Sequence, residues 1–298
     1  MTDSLALHYQ QQLALHDVRF EKIEHDDALV AIVYKLTEKN GKQLILKVCP
    51  RTPDYLREAY FLKHFETQLP VPKIIHLIPP EAEYPAAVLM ECIPGNILKA
   101  SEFSNSLAEE AGEILARIHL NSTSGYGDLI DPNSLASDPE KSFGLKFDES
   151  LMECEGHLPS GLLAQCRHYY QNHCSLLSLA DGPCITHRDF RPGNLLAENN
   201  HLTGIIDWAS ARASFAEEDL CYLEHNLWVT APQSKPSFLR GYAHVRPLPN
   251  YLQLMPFLQI SKALATIGFL VKQGTWDNQQ SNLYRRNREF IDLFEWMK

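Results

Sequence analysis

Residues 186–196 read THRDFRPGNLL, and the chemistry of this turn decides the fold. His187 stands two places before Asp189 and Asn194 five places after it, with Pro192 and Gly193 shaping the turn between them. Downstream, LTGIIDWASA begins with an apolar, β-branched run that predicts a short strand over 202–206, ending at Asp207. Taken singly, Asp189 and Asn194 suit an ordinary turn in which both side chains cap backbone N–H groups. His187 and Asp189 are also metal-ligand types, but neither a second histidine pair nor a cysteine pair at zinc spacing accompanies them. What lifts the set above a capped turn is the ordered company it keeps.

Upstream, three strands are predicted over 18–24, 30–36 and 43–48, the last two joined by a tight Lys39-Asn40-Gly41 turn. Thr52, Pro53 and Asp54 then supply an N-cap, a first-turn proline and an early acid, opening a helix through about Phe65. Short proline-bounded strands follow and stop at Pro94 and Gly95, a strong break. Beyond it, apolar Leu107, Ala111, Ile114, Leu115 and Ile118 recur at helical steps. Residues 122–149, rich in Gly, Ser, Asp and Pro, predict a long surface connection, and 162–179 and 252–271 predict further helices.

A proton acceptor for a hydroxyl and a pair of oxygen ligands for a hard cation are what phosphoryl transfer from a nucleotide requires. Asp189 is the candidate acceptor of a hydroxyl proton, and Asn194 and Asp207 are the candidate magnesium ligands. On these motifs the chain resembles the aminoglycoside phosphotransferase and choline kinase-like group. The resemblance implies an α+β, two-lobed protein-kinase-like fold with a small antiparallel-sheet N-lobe and a larger helical C-lobe. It also implies that Lys47 in LILKV binds phosphates and pairs with Glu58 in REAYFL, and that backbone groups around Glu91 and Cys92, in an interlobe hinge near 88–95, bind the adenine. His119 in LARIHL matches the helix before the substrate insertion, and Asp219 in EEDLCYL the acid that braces the catalytic loop, where His187 is expected to hold the turn. The N-lobe is expected over 1–93 and the C-lobe over 94–298.

The expected activity is magnesium-dependent transfer of the γ-phosphate of ATP or GTP to a hydroxyl of a small molecule: an aminoglycoside, amino alcohol, sugar or similar compound. Arg188 gives a protein-kinase-like H-R-D, but Asp207 is followed by Trp208 and Ala209 instead of Phe-Gly, and no A-P-E closes an activation segment. The turn IEHDDALVAIVY lacks the glycine that brings backbone amides close to phosphate, and Asp26 and Asp27 sit there. That departure motivates the alternative of a noncatalytic, nucleotide-binding regulator. Near residues 146–155, Asp148, Glu149, Glu153 and Glu155 stand against Lys146, as an amine pocket or, the favoured reading, a solvated face.

The 298 residues suffice for a full core, with 45% hydrophobic and 21% charged residues from end to end. A net charge of −10 without a Lys/Arg run argues against nucleic acid or an anionic membrane as partner. Seven scattered cysteines, an odd count with no C-x-x-C, suit reduced thiols, and the N-terminal residues show no leader pattern, so a cytoplasmic protein is expected.

Overall fold

The computed structural model describes residues 4–15, 17–23, 31–277 and 282–296. In chain order the elements begin with α1 (Ser4–Gln12), β1 (Arg19–Lys22), β2 (Ile32–Thr37), β3 (Gln43–Cys49) and α2 (Thr52–Phe65). There follow β4 (Ile74–Ile78), β5 (Ala86–Glu91), β6 (Asn96–Ile97), α3 (Asn105–His119), α4 (Pro139–Glu153), α5 (Ser160–His173) and β7 (Cys184–Thr186). The chain continues through β8 (Leu195–Glu198), β9 (His201–Ile205), β10 (Arg212–Ser214) and α6 (Ala216–Tyr222). A π turn over 223–227 leads into α7 (Trp228–Thr230), and α8 (Lys235–Val245), α9 (Met255–Lys272) and α10 (Leu283–Asp292) complete it. The glycine-free turn with Asp26 and Asp27 lies outside the described residues.

Two compact units divide the chain. The first comprises 1–110 with 191–211, the second 111–190 with 212–298. This partition differs from a single cut at 93/94, because β6 pairs with β8 and β8 with β9, which keeps the 191–211 excursion with the first unit. The pairing needs a glycine at position 95: its φ is +113°, and a Cβ there would lie 2.8 Å from the Ala197 carbonyl oxygen.

In the first unit an antiparallel sheet runs in the order β1-β2-β3-β5-β4. Alternation on β3 buries Leu44, Leu46 and Val48 with Tyr34, Leu36 and Leu89, while Lys47 falls on the opposite face. Helix α1 packs on this core through Tyr9, whose hydroxyl donates to the Pro85 carbonyl at 2.5 Å. Helix α2 occupies the expected span, but its cap is Arg51 rather than Thr52 and carries no side-chain cap bond. Asp54 instead binds the Arg51 guanidinium at 2.6 Å.

The second unit is mainly helical. Phe147 and Leu151 of α4, Cys166 of α5, Ile260, Leu264 and Ile267 of α9 and Ile291 of α10 form its core. The predicted surface connection is corrected here, since 139–149 belong to α4. Asp138 caps that helix by accepting the Glu140 N–H at 2.9 Å, and Pro139 opens it. Its acids meet cations of the chain itself: Asp148 with Arg167 at 3.0 Å, Glu149 with Lys146 at 3.1 Å and Glu153 with Lys272 at 2.7 Å. All seven cysteines are free thiols. Among the described residues no helix is long and apolar enough to cross a membrane.

Candidate active site

The first unit brings three of the candidate residues together. Lys47 sits mid-sheet on β3, opposite Val33 of β2 and Val88 of β5, and its Nζ lies 2.7 Å from Glu58 Oε2 on α2 and 2.8 Å from Asp207 Oδ1 beyond β9. Glu58 Oε2 also accepts the Trp208 N–H at 2.9 Å, so one buried carboxylate oxygen fixes both the lysine and the backbone just after Asp207. Trp208 is wholly buried, its ring 4.8 Å from Phe65 and 6.0 Å from Phe61, which anchors this turn against α2.

Burial alone would depress the Lys47 ammonium, but the Asp207 and Glu58 carboxylates outweigh it and hold the pKa above the ordinary lysine range. The group is therefore a fixed cation at neutral pH. Asp207 keeps 42% of its side chain exposed and has a φ of +67°, a left-handed conformation costing about 1–3 kcal/mol in a residue other than glycine. The left-handed turn lies two residues beyond β9, where the carboxylate is partly exposed while its Oδ1 stays on the Lys47 ammonium. Asn194, buried, ends the 192–194 turn, and its carbonyl accepts the Ile206 N–H at 3.0 Å, which lays it beside the residue preceding Asp207. A carboxylate and a carboxamide are hard oxygen donors of the kind magnesium takes alongside phosphate and water.

Glu91 ends β5 and Cys92 follows it. The Glu91 N–H donates to the Lys73 carbonyl at 2.9 Å, and Cys92, half-buried, has its Sγ 4.0 Å from the Gln43 side chain.

The second unit holds the remaining candidates, His187, Asp189 and Asp219. Asp219 on α6 is buried, and its two oxygens accept the backbone N–H groups of His187 at 2.8 Å and Arg188 at 2.6 Å. His119 on α3 adds a third contact, Nε2 to Asp219 Oδ2 at 3.1 Å, while its Nδ1 meets the Tyr242 hydroxyl of α8 at 2.8 Å. Burial would raise the Asp219 pKa, but the His119 and backbone hydrogen bonds hold it below the usual carboxylate range. The loop thus hangs on a permanent anion. Arg188 takes a φ of +64°, and the Asp189 N–H folds back onto His187 Nδ1 at 3.3 Å. His187 is fully buried beside Phe190.

Two neighbours of this loop carry no motif in the sequence. Tyr242 lies 123 residues after His119, its partner. Lys262 of α9 has its ammonium 4.4 Å from the Tyr222 ring centre. Burial pulls its pKa down while the Asp189 carboxylate pulls it up. Only helical periodicity marked α9 in the sequence, and periodicity places a helix without naming which polar residue it turns inward.

Residues 26–257 match the model of the phosphotransferase enzyme family. A homoserine kinase of Gluconobacter oxydans is 33% identical over 177 residues, which cover 57% of this chain and 53% of that protein. The chain therefore spans about half the length of the curated relative it matches. Among solved structures, aminoglycoside phosphotransferase APH(4)-Ia is similar with a TM-score of 0.73 at 14% identity, covering 97% of this chain and 99% of that one. The gentamicin-APH(2")-IIa complex gives a TM-score of 0.70 at 14% identity over 99% and 97% of the two chains. At these identities the likeness shows the fold: α+β, with the antiparallel sheet and helical remainder of the aminoglycoside phosphotransferase structures.

Proposed function

The chain belongs to the phosphotransferase enzyme family, and on that premise we propose that it transfers the γ-phosphoryl group of ATP or GTP to a hydroxyl of a small molecule, with magnesium as cofactor and in the cytoplasm. The observation that carries this reading is the Lys47 ammonium held between Glu58 at 2.7 Å and Asp207 at 2.8 Å. A buried lysine cross-linked to a helix and to a strained, half-exposed strand-end carboxylate is an expensive arrangement for stability alone, and a useful one for a triphosphate.

In this reading Lys47 orients the phosphates, and Glu58 fixes Lys47. Asn194 and Asp207 would hold the magnesium, which would supply positive charge against the phosphates. Backbone groups at Glu91 and Cys92 take the adenine, the Glu91 N–H being already engaged by Lys73. Asp189 orients the attacking hydroxyl and accepts its proton as the new oxygen–phosphorus bond forms, a contribution typically worth ~10²–10⁴-fold. Asp219, through the His187 and Arg188 amides, keeps Asp189 in place.

A coupled nucleotide-consumption assay of the purified chain tests this across amino alcohols, sugars, amino sugars and hydroxy acids. Magnesium-dependent turnover with any of them is expected. Tight nucleotide binding without transfer to any acceptor would contradict it and favour the noncatalytic alternative.

A further inference from the structure

Helix α6 holds the His187–Asp189 loop through Asp219, and at its last residue, Tyr222, it meets α9. The two side chains stand three residues apart and so share one helical face. From α9, Lys262 answers Tyr222 with its ammonium 4.4 Å from the ring centre. Lys262 continues a stripe set by buried Met255 and Leu258, at steps of three and four residues, which turns it inward, where it is partly buried. All of these groups lie within the second unit.

Around that ammonium stand Asp189 and Arg188 of the loop, Glu218 and Cys221 of α6, and the Tyr222 ring. Glu218 is engaged by Arg188 at 3.5 Å, and burial pushes the Cys221 thiol well up, so it carries no charge at neutral pH. Of the charged groups, Asp189 acts on Lys262 most strongly. Among the described residues the ammonium makes neither a hydrogen bond nor an ion pair. Taking a cation out of water without such a bond is costly, and an aromatic face restores only part of the loss. Its charge therefore reaches Asp189 through space, without occupying a lone pair of the carboxylate.

We propose that Lys262 is a positioning residue of the transfer reaction: its ammonium, seated on the Tyr222 ring, holds the Asp189 carboxylate toward the acceptor hydroxyl. The inference rests on the phosphotransferase reading above and adds a residue to it. A phosphoryl group in transfer brings negative charge toward Asp189, and like charges at close range repel. A cation beside Asp189 offsets that repulsion and keeps the carboxylate where it accepts the proton. Helix α6 then sets the loop twice, its backbone through Asp219 and its reacting side chain through Tyr222 and Lys262.

The test is a double-mutant cycle in transfer rate, run on the full chain with magnesium–ATP and an acceptor that the wild type phosphorylates. Lys262→Met keeps the apolar stem and removes a charge that has no hydrogen bond to lose, so its melting temperature is expected at or above that of wild type. Its kcat should fall about 10- to 100-fold, with KM for acceptor and for ATP within about twofold of wild type. Lys262→Arg, which keeps the charge, should recover most of that loss. In the Asp189→Asn background, Lys262→Met should alter transfer by less than about twofold, because the carboxylate it serves is gone. An unchanged kcat in Lys262→Met, or an equal loss in both backgrounds, overturns the positioning role while leaving the phosphotransferase reading intact. Absence of transfer by the wild type to any acceptor, with nucleotide still bound, removes both.

Discussion

The carboxylate of Asp219 accepts the His187 backbone N–H at 2.8 Å from 32 residues downstream, and the Arg188 N–H at 2.6 Å. One buried anion thereby satisfies two consecutive amides and sets the backbone that presents Asp189. Asparagine in its place has one acceptor oxygen and turns an NH2 toward an amide that needs an acceptor. Asp219→Asn is expected to lower stability by about 2–3 kcal/mol in urea unfolding and to reduce kcat with little change in nucleotide affinity. A wild-type kcat in this variant would detach Asp219 from the loop's function.

Lys47 leads to a prediction that separates structural from chemical roles. Removing it strands Glu58, so Lys47→Ala should cost about 3–5 kcal/mol, while the double variant Lys47→Met with Glu58→Gln should recover most of that stability. Turnover should remain low in both. A double variant that regains turnover along with stability would make the pair a structural cross-link only.

Asp207 is expected to serve the magnesium–phosphate contact more than the fold, since its side chain is partly exposed beyond the strand end. Asp207→Ala should therefore weaken nucleotide binding in magnesium far more than in its absence. Calorimetric titration with and without the metal checks this, and an equal loss under both conditions would deny it the metal role.

Stability against pH has a group of its own. Glu217 on α6 is buried and accepts the Asp181 N–H at 3.1 Å, and burial pushes its pKa up to about 7. A carboxyl raised in the fold favours the native state below its unfolded pKa, near 4.5, and loses that contribution as pH rises through 7. Glu217→Gln should thus match wild type near pH 4 and be more stable at pH 8 by on the order of 2–3 kcal/mol. His225 works in the other direction: burial lowers its pKa to about 4, so its contribution holds above 6.5 and is lost as pH falls through 4. Parallel melting curves of Glu217→Gln and wild type at both pH values would remove Glu217 from the account.

The local signals in the sequence were strong where side-chain chemistry and backbone conformation coincide. Alternation placed β3 and hence Lys47, and the α2 span followed from Thr52, Pro53 and Asp54, although the cap moved to Arg51. The H-x-D turn and the strand ending at Asp207 were likewise readable. Helix α4 was hidden by Gly144 and by the polar run before it, even though Asp138 and Pro139 are a capping signal. Tyr242 and Lys262 were missed because long-range packing decides which polar residue of a helix faces a functional loop.

The most direct test of the central claim is the rate of phosphate transfer by Asp189→Asn, measured beside its nucleotide affinity and melting temperature. The substitution keeps size and removes the carboxylate that accepts the hydroxyl proton, while Lys47, Asn194 and Asp207 are untouched. Transfer slowed by ~10²-fold or more, with nucleotide affinity and melting temperature at wild-type values, is the predicted result. Transfer at the wild-type rate by Asp189→Asn would contradict it.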